Sequence, residues 1–296
     1  MHLDPLKRRY RNWRRSRKRS RPDALPDPFY HGADIRAVRE FFLHHEPDAE
    51  GLADGGHSLS GECFVCNEVV DFRVARPAGG GPVNWRETLA CPGCGLINRW
   101  RGCIHLFEAI CQPTNEDRVY LTETLSPVYQ HLAARYPMLT GSEYLPHAAP
   151  GELVELHAQQ VRAEDVTRLS FDDHSLEAVL CFDVLEHVPD YLQALSEFHR
   201  VLAAGGQLLV SVPFSFHQQT TVRAVVNGAG LTEHLAPPCY HGDPLSAEGV
   251  LSYYDFGMDL VEELRRAGFS EAFLVCYRSL HWGYLQNNVA FVARKL

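Results

Sequence analysis

From Arg118 onward, apolar residues fall into two alternating patterns. Short runs of strand length recur at Arg118–Leu121, Met138–Ser142, Ala178–Phe182, Gln207–Val212, Ala272–Tyr277 and Asn288–Ala293. Between them lie stretches whose apolar positions repeat at helical spacing, about 126–136, 190–202 and 259–267. Strands of four to eight residues bounded by turn residues, alternating with helix-length amphipathic stretches, predict βαβ units and a parallel sheet. A further strand is expected to end near Asp165. Ser126-Pro127 marks a helix start, because proline at the first helical position loses no needed hydrogen bond. Gly205-Gly206 and Gly268 stop the next two helices.

The first part of the chain lacks this alternation. Ile35, Val38, Phe41 and Phe42 recur at helical spacing after Asp34, so a short helix is expected there. Glu46–Glu62 is acidic and glycine-rich and predicts a loop. Residues 63–111 hold six of the nine cysteines and form a small module. The boundaries are therefore set at 1–30 for an arm and linker, 31–112 for helix and cysteine module, and 113–296 for the α/β domain. Within the last, about 214–254 is polar, aromatic and aperiodic. It is too long for a simple connection, which predicts an insertion forming a lid or a site.

Charge changes the picture at one end. Net charge is −9, yet the first 21 residues carry ten Lys or Arg against Asp4 alone. That segment is +9 and the remainder −18. A basic arm, residues 7–21, on an acidic body can seek a nucleic acid or another anionic surface, or can be a solvated tail. No run approaches the ~18 apolar residues of a membrane-spanning helix. The segment after Arg21 has no apolar core, which excludes a secretion signal. A cytoplasmic location is expected.

The cysteines point to a metal. Cys63-Phe-Val-Cys66 and Cys91-Pro-Gly-Cys94, with 24 residues between the pairs, can set four thiolates around one tetrahedral zinc, as in a zinc ribbon. AGGGP at 78–82 would absorb the long spacer. Asn67 and Gly95 follow the two pairs, and these residue types tolerate the positive φ that a metal knuckle needs. Four ligands close the coordination shell, so this zinc would be structural. Cys103 and Cys111, at helical spacing with Leu106 and Ile110, are expected in a core.

The stretch DVTRLSFDDHSLEAVLCFDVLEHVPD, Asp165–Asp190, resembles class I S-adenosylmethionine-dependent methyltransferases. The resemblance covers about Arg118–Leu296 and implies a Rossmann-like seven-stranded sheet, helices on both faces and a reversed final hairpin. It implies S-adenosylmethionine as cofactor, over the carboxyl ends of the strands. Glu143 in LTGSEYL matches the family's acid for the ribose hydroxyls, and Asp165 with Val166 the adenine contacts. Phe182 and Asp183 open the loop under the donor methyl, where His187 stands as candidate base. His217 and His241, with His234, are candidate groups of the acceptor pocket.

One departure bears on activity. The family follows its first strand with an acid and a GxGxG turn. Here VYL is followed by Thr122-Glu123-Thr124-Leu125-Ser126-Pro127, with the acid Glu123 and no glycine. The cofactor's methionine end would meet side chains there, with threonine and serine hydroxyls replacing some backbone contacts. The loop after the fourth strand also lacks the Asn-Pro-Pro-aromatic motif of base-amine methylating enzymes. The expected reaction is O-methylation of a small molecule or glycan precursor. An RNA methyltransferase using the basic arm and ribbon, and a non-catalytic binding protein on the same fold, are the alternatives.

Overall fold

In the computed structural model, described residues are 25–44, 58–75, 83–156, 158–243 and 245–296. The basic arm and the AGGGP stretch lie outside them. In chain order the strands are β1 (Phe29–Gly32), β2 (Ser58–Cys63), β3 (Glu68–Val74), β4 (Leu89–Ala90), β5 (Val119–Leu121) and β6 (Leu139–Gly141). Then come β7 (Leu153–Leu156), β8 (Gln159–Arg162), β9 (Leu176–Phe182) and β10 (Leu202–Ser211). The insertion holds β11 (Thr221–Val222), β12 (Ala224–Val226), β13 (Thr232–His234), β14 (Tyr240–Asp243), β15 (Ser246–Leu251) and β16 (Tyr254–Asp255). β17 (Glu271–Ser279) and β18 (Tyr284–Arg294) close the chain. The helices are α1 (Ile35–His44), α2 (Trp85–Thr88), α3 (Asn98–Ile110), α4 (Pro127–Ala133), α5 (Tyr191–Val201) and α6 (Leu260–Arg266).

Seven strands form the main sheet in the order β1-β17-β18-β10-β9-β5-β6. β6, β5, β9 and β10 run parallel, and β18 reverses against β10. The middle strands are buried on both faces, which is why Leu176–Phe182 and Leu208–Val212 read as continuous apolar runs rather than alternations. Helices α1, α5 and α6 cover one face through Val38, Phe41, Phe42, Leu195, Phe198, Val261 and Leu264. Helices α3 and α4 cover the other through Ile104, Phe107, Val128 and Leu132. Each such buried side chain contributes roughly 1.5–3 kcal/mol by leaving water. Ser126 caps α4, its Oγ accepting from the Tyr129 N–H at 3.1 Å, with Pro127 at the first turn.

Two edges differ from expectation. The strand expected to end near Asp165 is β8, which pairs antiparallel with β7. Its end meets the chain beyond β6 through a parallel bridge between Glu143 and Ala163. The seventh strand is instead β1 at the opposite edge, antiparallel to β17 from Phe29–Tyr277 to Gly32–Leu274. A four-residue strand carries too little periodicity to be read from sequence, and its pairing partner lies at the other end of the chain. The expected boundary after residue 30 falls inside this strand.

β10 also begins earlier than Gln207. Leu202 pairs with Leu176, the register shifts, and pairing resumes at Gln207–Ala178. Gly205, at φ 81°, makes the irregular turn possible, and its N–H reaches the Lys295 carbonyl at 2.8 Å. The glycine pair thus shapes a bulge inside the strand rather than only ending a helix.

Candidate active site

The four cysteines of the small module converge as their spacing requires. Cys63 Sγ lies 3.9 Å from Cys94 Sγ, and Cys66 Sγ lies 3.7 Å from Cys91 Sγ. All four sulfurs fall within 4.8 Å of one another, and none is in a disulfide. A tetrahedron with ~2.3 Å zinc–sulfur bonds has edges of ~3.8 Å, so the spacing suits that ion. Asn67 and Gly95 adopt φ 56° and 73°, and their N–H groups return to the Cys63 and Cys91 carbonyls at 2.7 and 2.9 Å. Cys103 is fully buried in the core against the sheet.

The module is not a free-standing appendage. Buried Arg101 on α3 donates to the Trp282 and Gly283 carbonyls at 2.8 and 2.9 Å. Its guanidinium stacks 4.0 Å over the Phe72 ring of β3. The Glu62 N–H reaches the His281 carbonyl at 2.7 Å. The ribbon is thereby fixed to the turn between β17 and β18.

That docking brings two arginines to the carboxyl end of β9. Asp183, just past the strand, sits at φ 53°, a strained conformation for a side chain with a Cβ. Its carboxylate accepts from Arg86 Nη2 at 2.6 Å, Arg99 Nη1 at 2.9 Å and Ser211 Oγ at 2.8 Å. Glu87 bridges the same two arginines. Burial pushes the Asp183 carboxyl up, but Arg86 and Arg99 outweigh it and hold it well below the usual carboxylate range. Nothing local in the sequence marked Arg86 or Arg99.

The glycine-free loop after β5 is now accounted for. The N–H groups of Thr124 and Leu125 both donate to Glu143 Oε1 at 2.7 Å. A carboxylate at the end of β6 thus organises the loop that glycines organise elsewhere. Thr122 Oγ1, Glu123 Oε1 and Thr124 Oγ1 are buried without a hydrogen-bond partner. Burial pushes the Glu123 carboxyl up to about 7, against the pull of Ser126 and Arg99. Orphaned acceptors of this kind cost free energy unless a ligand meets them. These buried oxygens can accept from the ammonium of an amino-acid moiety. The residues present therefore fit the methionine end of S-adenosylmethionine.

The remaining sequence-derived positions take varied roles. Asp165 Oδ1 accepts from the Thr167 N–H and hydroxyl at 2.9 and 2.6 Å, a local turn that presents Val166 against the core. Phe182 is buried in the layer shared with α3 and α4. His217 is exposed, its carbonyl accepting from the Met258 N–H, and His234 is exposed on β13.

His187 and His241 do come together. They flank Glu186 in the single helical turn Leu185–His187, with ring centroids 4.9 Å apart and nearly perpendicular. Glu186 Oε1 lies 3.7 Å from His187 Nε2 and 3.5 Å from His241 Nδ1. The Glu186 side chain is completely buried. Burial pushes its carboxyl up to about 7, with His241 opposing. The insertion pins this turn down. The Leu251 carbonyl meets His187 Nδ1 at 2.8 Å, the Tyr253 N–H reaches the Glu186 carbonyl at 2.7 Å, and Tyr254 Oη donates to the Pro189 carbonyl at 2.5 Å. Glu186 was legible only as part of the DVLEHVP string. Its role depends on burial, which the string does not encode.

Residues 127–210 match the family model described as a methyltransferase domain. They carry the βαβ succession and both acidic positions, Glu143 and Asp165. Over these residues the chain is similar to a methyltransferase domain. Over 45 residues it is 49% identical to a demethylmenaquinone methyltransferase of Staphylococcus epidermidis, covering 15% of this chain and 19% of that protein. Over 48 residues it is 46% identical to an uncharacterized protein of Methanocaldococcus jannaschii, covering 16% and 21%. The chain spans about a fifth of the length of the curated relatives it matches. A crystal structure of an S-adenosylmethionine-dependent methyltransferase from Mesorhizobium loti aligns over 68% of this chain and 100% of its own, at 12% identity and a TM-score of 0.42. Among the described residues, no helix is long and apolar enough to cross a membrane.

Proposed function

We propose that the protein transfers a methyl group from S-adenosylmethionine to a hydroxyl oxygen of a small molecule or glycan precursor. The observation that carries this reading is the buried Glu186 between His187 and His241, next to Asp183 at the carboxyl end of β9. Three groups able to take or hold a proton converge where the loop after the fourth strand of this fold faces an acceptor. A hydroxyl needs such help, whereas an amine lone pair does not.

When bound, S-adenosylmethionine supplies a methyl already activated on a sulfonium, so the chain must align, deprotonate and exclude water. Arg86, Arg99, Glu123 and the threonine hydroxyls would hold its amino-acid end. Glu143, while retaining the loop, would meet the ribose, and Asp165 the adenine. The carbonyl of Leu251 can only accept, so His187 Nδ1 carries the proton of a neutral ring and Nε2 bears the lone pair. That lone pair faces Glu186, whose carboxyl burial pushes up to about 7. The strands of the insertion, held onto this turn, exclude water. The four-cysteine site would carry a structural zinc that holds α2 and α3 in register, and so places Arg86 and Arg99.

The test is a thermal-shift titration with S-adenosylmethionine and S-adenosylhomocysteine on wild type, Glu143→Ala and Asp165→Ala. Stabilisation grows as ln(1 + [L]/Kd), so a working pocket raises Tm with concentration. The expected result is stabilisation of wild type and little for the variants. Wild type without a shift at millimolar ligand would favour the non-catalytic alternative.

A further inference from the structure

Among the described residues, a second metal-competent group is Glu186, His187 and His241, whose ligand atoms all lie within 4.8 Å of one another. Neither Glu186 oxygen has a hydrogen-bond partner, although the side chain is fully buried. The two imidazole nitrogens stand at 3.7 and 3.5 Å from Oε1. Those separations are long for hydrogen bonds, which fall near 2.7–3.2 Å. They are close to the ~3.4 Å edge of a tetrahedron built on ~2.1 Å zinc–nitrogen and zinc–oxygen bonds. A fully buried carboxylate facing two imidazoles at coordination spacing, and not at hydrogen-bond spacing, is the arrangement that a cation between them explains.

The outer contacts agree. A histidine ligand ordinarily donates its other ring N–H to a carbonyl or carboxylate, which fixes the tautomer and aims the lone pair. His187 does this through Nδ1 to the Leu251 carbonyl at 2.8 Å. Both segments that supply ligands are held: the helical turn by the insertion's backbone, and His241 by pairing of β14 with β15 at Val250. Two imidazoles and one carboxylate are borderline donors that suit zinc or a similar transition ion rather than magnesium or calcium. Three protein ligands leave a coordination position open.

We propose that Glu186, His187 and His241 bind a divalent zinc-class ion that holds the acceptor oxygen for methylation. The role of the ion, with the three side chains serving as ligands in place of proton acceptors, rests on the methyltransferase reading above; its binding does not. An acceptor hydroxyl coordinated in the open position would lose its proton to solvent more readily, as metal-bound water does. The oxygen would then form its bond to the methyl carbon as the carbon–sulfur bond breaks, with that electron pair returning to sulfur as S-adenosylhomocysteine leaves.

The experiment is elemental analysis of the full chain purified from zinc-supplemented medium and desalted, for wild type, Glu186→Gln and His241→Ala, beside a thermal-shift titration with S-adenosylhomocysteine. The expected count is about two zinc per wild-type chain and about one in each variant, the four-cysteine site being retained. Cobalt offers a second readout: the variants should lose absorption of a nitrogen–oxygen site while keeping thiolate charge-transfer bands. His241→Ala, on a partly exposed strand, keeps the test valid if Glu186→Gln folds poorly. Equal metal content in wild type and His241→Ala overturns the site. If that equality comes with normal S-adenosylhomocysteine binding, the methyltransferase reading survives without it. A one-ion difference without any cofactor binding leaves the metal site and removes its methylation role.

Discussion

Arg99 Nη1 lies 2.9 Å from Asp183 Oδ2, joining the ribbon module's long helix to the loop at the carboxyl end of β9. The two side chains are 84 positions apart in sequence and both are largely buried. A module that reads as an accessory therefore furnishes part of the site's charge balance.

Arg99→Ala should expose this dependence. It leaves Asp183 buried with Arg86 as its remaining cation, at a cost of about 2–3 kcal/mol. Chemical denaturation should report the loss. Weaker stabilisation by S-adenosylhomocysteine should accompany it, because in the proposed function this guanidinium would meet the ligand's carboxylate. Undiminished ligand binding in this variant would remove Arg99 from the cofactor pocket.

The thiol quartet predicts metal-linked stability. Cys63→Ser should cost about one zinc and lower the Tm, and a strong chelator that strips the thiol site should lower it likewise. The loss should extend to the methyltransferase domain, since α3 packs directly on the main sheet. Two separate transitions, with only the smaller one metal-sensitive, would show the module to be energetically independent.

Glu143→Gln tests the loop. The carboxylate holds the Thr124 and Leu125 N–H groups, and a charged acceptor is worth about 1.5–3 kcal/mol more than an unmade bond. The neutral amide keeps one acceptor oxygen, so a loss of roughly 1 kcal/mol in stability is expected. A larger effect, at least ~10-fold or about 1.4 kcal/mol, is expected on S-adenosylhomocysteine affinity. Hydrogen exchange at residues 122–126 should quicken in parallel.

Two buried carboxyls give the ligand-free protein a pH signature. Glu123 and Glu186 are each pushed from an ordinary 4.5 up to about 7 by burial. A carboxyl raised in the folded state favours folding fully at pH below its unfolded value. That contribution is lost as pH rises through the folded value. Metal-free, cofactor-free protein should therefore lose stability from about pH 4.5 to beyond 7, and Glu186→Gln should flatten the slope. Asp183 acts oppositely: held low, it stabilises above its ordinary 3.8 and is lost as pH falls below that. Stability that stays level between pH 5 and 8 in wild type would contradict both raised carboxyls.

Gly141→Ala probes the contact between β6 and α4. An added Cβ would meet the Tyr129 ring at 2.5 Å and the Glu123 carbonyl at 2.7 Å. Overpacking of this kind costs about 1–3 kcal/mol. Gly141→Ala with Tyr129→Leu should recover part of it, as measured by a double-mutant cycle.

The sequence alone determined what short-range physics controls. Periodicity set most elements of the main sheet and its flanking helices, because burial on one face or two leaves a repeat of 3.6 or an unbroken apolar run. Cysteine spacing with Asn67 and Gly95 set the knuckles, because ligand and turn lie within one local segment. It also exposed the glycine-free loop as a departure. Tertiary structure decided how that loop is held, through Glu143, and which charges surround it, through Arg86 and Arg99. It replaced the expected third strand with β1, and it set His241 beside Glu186 while leaving His217 exposed. Arg86 meets Asp183 across 97 positions, and pairings at that range depend on how layers pack and on what burial does to a charge. Neither leaves a periodic trace along the chain.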